Sequence, residues 1–209
     1  MRITFSLILL LFFFQTADAQ FKHVKRINEC WSAYKDAILS DNGAKAATLV
    51  DTNTIQYYDQ VIDWVRNADS ATVIQLNTLD MMMVLLIRHR STDEEIRAFT
   101  GESLFIYAVN NGMVGKESVK ENSISSITIE GNIAKAQLSV SGTPTEMSFT
   151  FRKFGRQWKL DLTTVLKDSI DAINTVITNM GITPTEFILA MLLYSNGQPA
   201  DPDIWQPVK

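Results

Sequence analysis

Apolar and polar residues alternate within several short runs between Asn122 and Leu162. Ala134, Ala136, Leu138 and Val140 interleave with Lys135, Gln137 and Ser139. Met147, Phe149 and Phe151 interleave with Ser148, Thr150 and Arg152, and Trp158, Leu160 and Leu162 with Lys159 and Asp161. A period of two sends successive side chains to opposite faces of a strand. Ile127 and Ile129 form a further strand, and Gly131-Asn132, Gly142-Thr143-Pro144 and Gly155-Arg156 supply the turns between them. The pattern predicts four half-buried strands. Their inner face carries Ala136, Leu138, Met147, Phe149 and Phe151, and Asp161 falls on the outer one.

Before this stretch the period is helical. Val24, Ile27, Trp31, Tyr34 and Ile38 recur at three- and four-residue steps and share one face. Ser40-Asp41-Asn42-Gly43 ends that helix, and a short one follows over Ala44 to Val50. Thr54 is read as the cap of a third helix, with Ile55, Tyr58, Val61, Ile62 and Val65 on its buried face. Val73 to Ile87 is helical with an interruption at Asn77-Thr78. Thr92 with Glu95 forms a capping box, and the helix it opens continues through Leu104 to Val109 until Asn111-Gly112.

After the strands, Leu166, Ile170, Ile173, Ile177 and Met180 form an apolar stripe closed by Gly181. Such a stripe must bury against something. Thr183-Pro184-Thr185-Glu186 joins a capping box to a proline in the first turn and opens a last helix. Helices followed by a run of strands predict an α+β fold, with helices packed on a curved antiparallel sheet. The expected organisation is one domain over residues 20–197. Its sheet lies in 122–163, its two C-terminal helices in 165–195, and an irregular tail follows over 198–209. Ile204-Trp205 in that tail are expected to dock back on the domain.

The first nineteen residues read differently. Arg2 precedes an apolar run from Ile3 to Phe14, too short to span a bilayer, and Ala17-Asp18-Ala19 fits the small-x-small cleavage pattern. A signal peptide over residues 1–19 is expected, with a mature chain from Gln20, exported to the periplasm or secreted. No later segment is long and apolar enough to span a membrane. The single cysteine, Cys30, stands beside Trp31 on an apolar face and reads as a buried structural thiol. A net charge of −4, with neither sign in a block, argues against a nucleic-acid surface.

The pattern Gly131-Asn132-x-Ala134-x-Ala136 and the ending Phe151-Arg152-Lys153-Phe154-Gly155-Arg156-Gln157-Trp158-Lys159-Leu160-Asp161 resemble the nuclear transport factor 2-like superfamily. Ketosteroid isomerase and the polyketide cyclases share that fold. The resemblance spans roughly residues 44–163 and is one of fold. Tyr57-Tyr58, Leu86-Ile87-Arg88 and Ile204-Trp205-Gln206-Pro207 are similar to segments of exported bacterial proteins with no assigned activity. The resemblance implies a cone-like sheet around a pocket. The two C-terminal helices would be additions that cover sheet or groove surface used by relatives to dimerise. It does not imply a function.

Isomerase chemistry needs an Asp base and a Tyr with a protonated Asp as oxyanion donors in an apolar pocket. None of the inward strand positions ionises, so the pattern is not met there. His23 and His89 are far apart without a second ligand at metal-binding spacing, so no metal site is expected. Gly101-Glu102-Ser103 starts like a nucleophile elbow but lacks the second glycine and reads as a helix start. Asp59 and Asp63 share a helix face, most simply a solvated one. No catalytic residues and no cofactor are assigned.

Six residues are candidates to line a ligand pocket: Tyr34, Tyr58, Trp64, Arg88, Phe149 and Trp158. Arg88 ends an apolar helix, where it either anchors an anion or snorkels. The aromatic residues either line a cavity or simply fill the core. Three readings stay open. One is an exported non-catalytic domain binding a small apolar or amphipathic ligand. The second is a cell-envelope protein-interaction domain with a filled core. The third is an isomerase- or cyclase-type enzyme, which needs Tyr58 or Tyr34 within reach of a buried carboxylate. Ligand, partner and oligomeric state are not legible in the chain.

Overall fold

The computed structural model describes residues 4–114 and 116–208, with side chains from residue 20 onward except at 117, 118 and 196. Arg2 lies outside the described residues, as do the side chains of the apolar run after it. The chain is α+β and forms two compact units, and it crosses between them at Asp51/Thr52, Ala108/Val109 and Asp161/Leu162.

The first unit holds α1 (Thr4–Leu39), α2 (Gly43–Leu49), α8 (Glu117–Lys120) and the strands β1 (Asn122–Glu130), β2 (Ile133–Val140), β3 (Thr143–Phe154) and β4 (Gln157–Asp161). The strands form an antiparallel meander in the order β1-β2-β3-β4. Tight turns join them, with Gly131, Gly142 and Gly155 at positive φ, where a side chain would be strained. The alternation read from sequence holds except at the end of β2, where Ser139, expected outward, is buried and Val140, expected inward, is exposed, because the register shifts between Gln137 and Ser139. Ala134, Ala136 and Leu138 are buried with Phe149, Phe151, Trp158 and Leu160.

α1 and α2 pack on this sheet. Trp31 of α1 lies on Phe149 at 4.8 Å between ring centroids, and Ile27, Tyr34 and Ile38 are buried along the same stripe. Cys30 is buried as expected, its Sγ 3.7 Å from the Leu49 carbonyl, and burial pushes its thiol up to about 11. Lys35 Nζ donates to the carbonyls of Lys120 and Asn122, tying the entry to β1 onto α1.

Asp161 corrects the sequence reading. It is fully buried and accepts from Arg152 Nε at 2.8 Å. Alternation predicted an outward carboxylate, but the segment at Val50 bridges β4 in parallel and brings Asp51, also buried, to 3.4 Å from the same Nε. One guanidinium therefore serves two buried carboxylates, and its own ionisation is pushed up, chiefly by the hydrogen bond to Asp161.

The second unit is helical: α3 (Thr52–Asn67), α4 (Ser70–Gln75), α5 (Thr78–Arg90), α6 (Asp93–Ala98), α7 (Gly101–Asn110, its last two residues in the first unit), α9 (Leu166–Met180) and α10 (Pro184–Asn196). Capping boxes close the N-termini of α6 (Thr92/Glu95) and α10 (Thr183/Glu186), both as read. The expected interruption at Asn77 is the N-cap of α5. Thr54 is not a cap: α3 begins before it, and its Oγ1 accepts the Leu162 N–H at 2.9 Å. Phe99-Thr100 separates α6 from α7, so the predicted continuous helix is two. α9 packs on α5 through Ile177, the buried residue of the stripe, whereas Met180, expected to bury with it, is 58% exposed.

Candidate functional site

Arg88 stands in the last turn of α5. Its Nε donates to the Val65 carbonyl at 2.9 Å, Nη2 to Trp64 at 3.1 Å and Ala68 at 2.6 Å, and Nη1 to Ile204 at 3.0 Å. The first three acceptors are at the C-terminal end of α3, where carbonyls lose their intrahelical donors. A guanidinium there satisfies them and complements the negative end of the helix dipole. Burial lowers its pKa to about 10, so it stays cationic at neutral pH. Arg66 does the same for α6. Its Nε donates to Ile96 and its Nη2 to Arg97 and Phe99, at the end of α6.

The fourth acceptor of Arg88 belongs to the C-terminal tail. Asp201 caps a 3-10 turn over Pro202–Trp205, Ile204 is buried and Trp205 half-buried, so both dock back. Val208 N–H then reaches the Arg66 carbonyl at 3.1 Å. The tail crosses α5 and α6 and leaves a cavity of about 290 Å³, lined by Arg88, His89, Asp93, Ile96, Asp203 and Gln206 among others. Its wall mixes carboxylates, a guanidinium and an imidazole with Ile and Pro side chains. Asp93 is also paired with Arg97 at 3.7 Å. Among the described residues no cluster of His, Cys, Asp and Glu can hold a metal ion.

Of the six pocket candidates, Arg88 lines this cavity. Trp64 gives Arg88 its carbonyl, and Tyr58 packs edge-on against Phe105 at 5.1 Å in the same helical unit. Tyr34, Phe149 and Trp158 belong to the sheet unit. Tyr34 and Phe149 both stack with Trp31, and Trp158 Nε1–H donates to His23 Nδ1 at 3.2 Å.

A tyrosine does meet a buried carboxylate, but it is Tyr57. Its hydroxyl donates to Asp80 Oδ1 at 2.6 Å, while Asn77 Nδ2 donates to Asp80 Oδ2. Both carboxylate oxygens are thus engaged, and burial with the Asp80 charge raises the Tyr57 pKa. Tyr58 is pushed up to about 12 by burial alone. Asp59 and Asp63 hold separate partners, the Gly101 N–H and the Asn67 amide.

A second surface lies on α9 and α10. α10 is apolar on every side, yet Ile188 and Leu192 are its only buried large side chains among the described residues. Leu189, Met191, Leu193 and Tyr194 are exposed, Tyr194 at 90%, and Val176 and Met180 of α9 add to them. The signal for this surface was present in the unbroken apolar run Phe187 to Tyr194. It reads equally as a core helix, so sequence alone missed it.

Comparison of the chain with family models, with curated proteins and with solved structures gave no match.

Proposed function

We propose that this chain is an exported, non-catalytic domain that docks a protein of the cell envelope through the outer face of α10. The observation that carries this is the exposure of Leu189, Met191, Leu193 and Tyr194 on a helix without a polar face. Soluble domains rarely leave such a patch uncovered unless it binds something. Docking through one helix face onto an apolar groove is a common recognition mode. Export is inferred from the apolar run and the Ala17-Asp18-Ala19 pattern.

Charge describes the partner. From Asp168 to Val208 the chain has five carboxylates and no Lys, Arg or His. The whole helical unit carries thirteen acidic and six basic residues, a net charge of −7. The complementary partner is an apolar groove rimmed by Lys and Arg. A photo-crosslinking residue at Tyr194 tests this. The expected product is a heterodimeric adduct lost in Leu189→Ser/Leu193→Ser, mapped to a basic-rimmed groove. Self-adducts alone, or none, overturn it.

For the fold, the nuclear transport factor 2-like reading is supported by the order of helices and meander. Register shifts between Ser125 and Thr128 and between Gln137 and Ser139 favour a curved, cone-like sheet, because bulges bend strands. The helices α9 and α10 would be additions to it.

A small amphipathic ligand is the second reading, and the mixed lining of the Arg88 cavity favours it. Native mass spectrometry should then show extra mass that collisional activation removes. A clean apo mass from gently purified protein counts against it.

A further inference from the structure

We propose that the segment of α1 around Lys22 and Arg26, together with the β3–β4 hairpin, forms a docking surface for anionic membrane lipids. Lys22 and Arg26 are four residues apart on α1 and share a side of the helix. Arg26 Nη1 reaches the Arg156 carbonyl in the hairpin turn at 3.4 Å. Lys153 Nζ is 3.5 Å from His23 Nε2. Arg26 and Lys153 therefore meet at His23 and the hairpin turn, with Lys22 one turn along α1 and Arg156 carried by the turn that Arg26 touches. None of them forms an ion pair among the described residues, whereas neighbouring Lys25 is matched to Glu29 at 3.8 Å.

The imidazole at the centre adds no charge. Trp158 Nε1–H donates to His23 Nδ1, which requires that nitrogen to be an acceptor. Burial, with Lys153 and Arg26 close by, lowers the His23 pKa and keeps the ring neutral.

Two aromatic side chains frame the cations. Phe21 is 72% exposed and Phe154, at the hairpin tip, 43%. Cations that reach headgroup phosphates beside apolar side chains that enter the acyl boundary are the makings of an interfacial site. The position along α1 points the same way. The apolar run to Phe14 ends seven residues before Phe21 on one continuous helix, about 10 Å along its axis. Whenever that run lies in a bilayer, the basic cluster sits at headgroup depth. Once the run is removed, the cluster and the two phenylalanines remain.

The test is flotation of the full chain with phosphatidylcholine vesicles, with and without roughly one-third phosphatidylglycerol. The apolar run can bind both kinds of vesicle, so the ratio between them reads the patch. Phosphatidylglycerol should raise partitioning, and Lys153→Glu/Arg156→Glu should lower that gain about tenfold. Phe154→Ser should weaken binding while leaving its salt dependence. Should the double variant misfold by circular dichroism, Lys22→Glu reads the same patch from the helix side. Equal binding to both vesicles, or a gain indifferent to charge reversal, overturns the proposal. So does displacement by millimolar inorganic phosphate, which would make the ligand a free anion.

Discussion

The guanidinium of Arg88 donates to the carbonyl of Ile204 at 3.0 Å, joining the end of α5 to the C-terminal tail. The same side chain holds three carbonyls at the end of α3. One residue thus closes a helix, seats the tail and forms part of a cavity wall.

Replacing Arg88 leaves four carbonyls without this donor. Arg88→Ala should lower stability by roughly 2–4 kcal/mol, allowing for partial solvation of the site. Arg88→Lys should recover less than half, because an ammonium cannot span the same fork of acceptors. Urea midpoints of the three proteins check this, and a wild-type midpoint in Arg88→Ala would contradict it.

Gly101 opens α7 against α3, its N–H donating to Asp59 Oδ1 at 2.6 Å. A Cβ at this position would lie 2.6 Å from both the Asp59 nitrogen and the Ile55 oxygen. These are backbone atoms of a helix and cannot step aside. Gly101→Ala should cost about 2 kcal/mol or more, although alanine is the better helix former. Thermal unfolding measures it, and a stabilised variant would refute the close approach.

Arg152 is the shared partner of Asp51 and Asp161. Arg152→Met leaves two buried carboxylates together without that guanidinium, and should destabilise by roughly 3 kcal/mol at neutral pH. Urea midpoints of Arg152→Met and the wild type check this, and an unchanged midpoint would show that the guanidinium does not hold the pair.

His23 makes stability depend on pH near neutrality. Its folded pKa is lowered, so the folded state binds fewer protons than the unfolded chain near pH 6. Its contribution is complete above the unfolded value of about 6.5 and is lost as pH falls through the folded one. His23→Gln should flatten the stability profile between pH 7.5 and 5.5. An unchanged slope would show that burial, with Lys153 and Arg26 nearby, does not hold the ring neutral.

Much of this architecture was legible in the chain, for local reasons. Two faces of different polarity made the alternation around Ala136, Phe149 and Leu160 readable, and capping chemistry announced Thr92 and Thr183. Asp161 defeated the same rule, because its burial depends on Asp51 and Arg152, brought beside it by pairing at Val50. Thr54 looked like a cap and instead receives the N–H of Leu162, a partner no local pattern could supply. The Arg88 cavity was half visible. The arginine stood out, while its other wall comes from the tail at Asp203 and Gln206. The outer face of α10 was hidden in plain composition, since an all-apolar helix reads as core.

Docking through α10 requires its outer face to be open in the isolated chain and covered in the envelope. Hydroxyl-radical footprinting of Met191 and Tyr194, in purified protein and in intact envelopes, measures it most directly. Strong labelling in the purified chain with protection in envelopes is the expected result, with Phe154 reporting separately on the lipid-facing hairpin. Equal labelling of Met191 and Tyr194 in both states would contradict docking through α10.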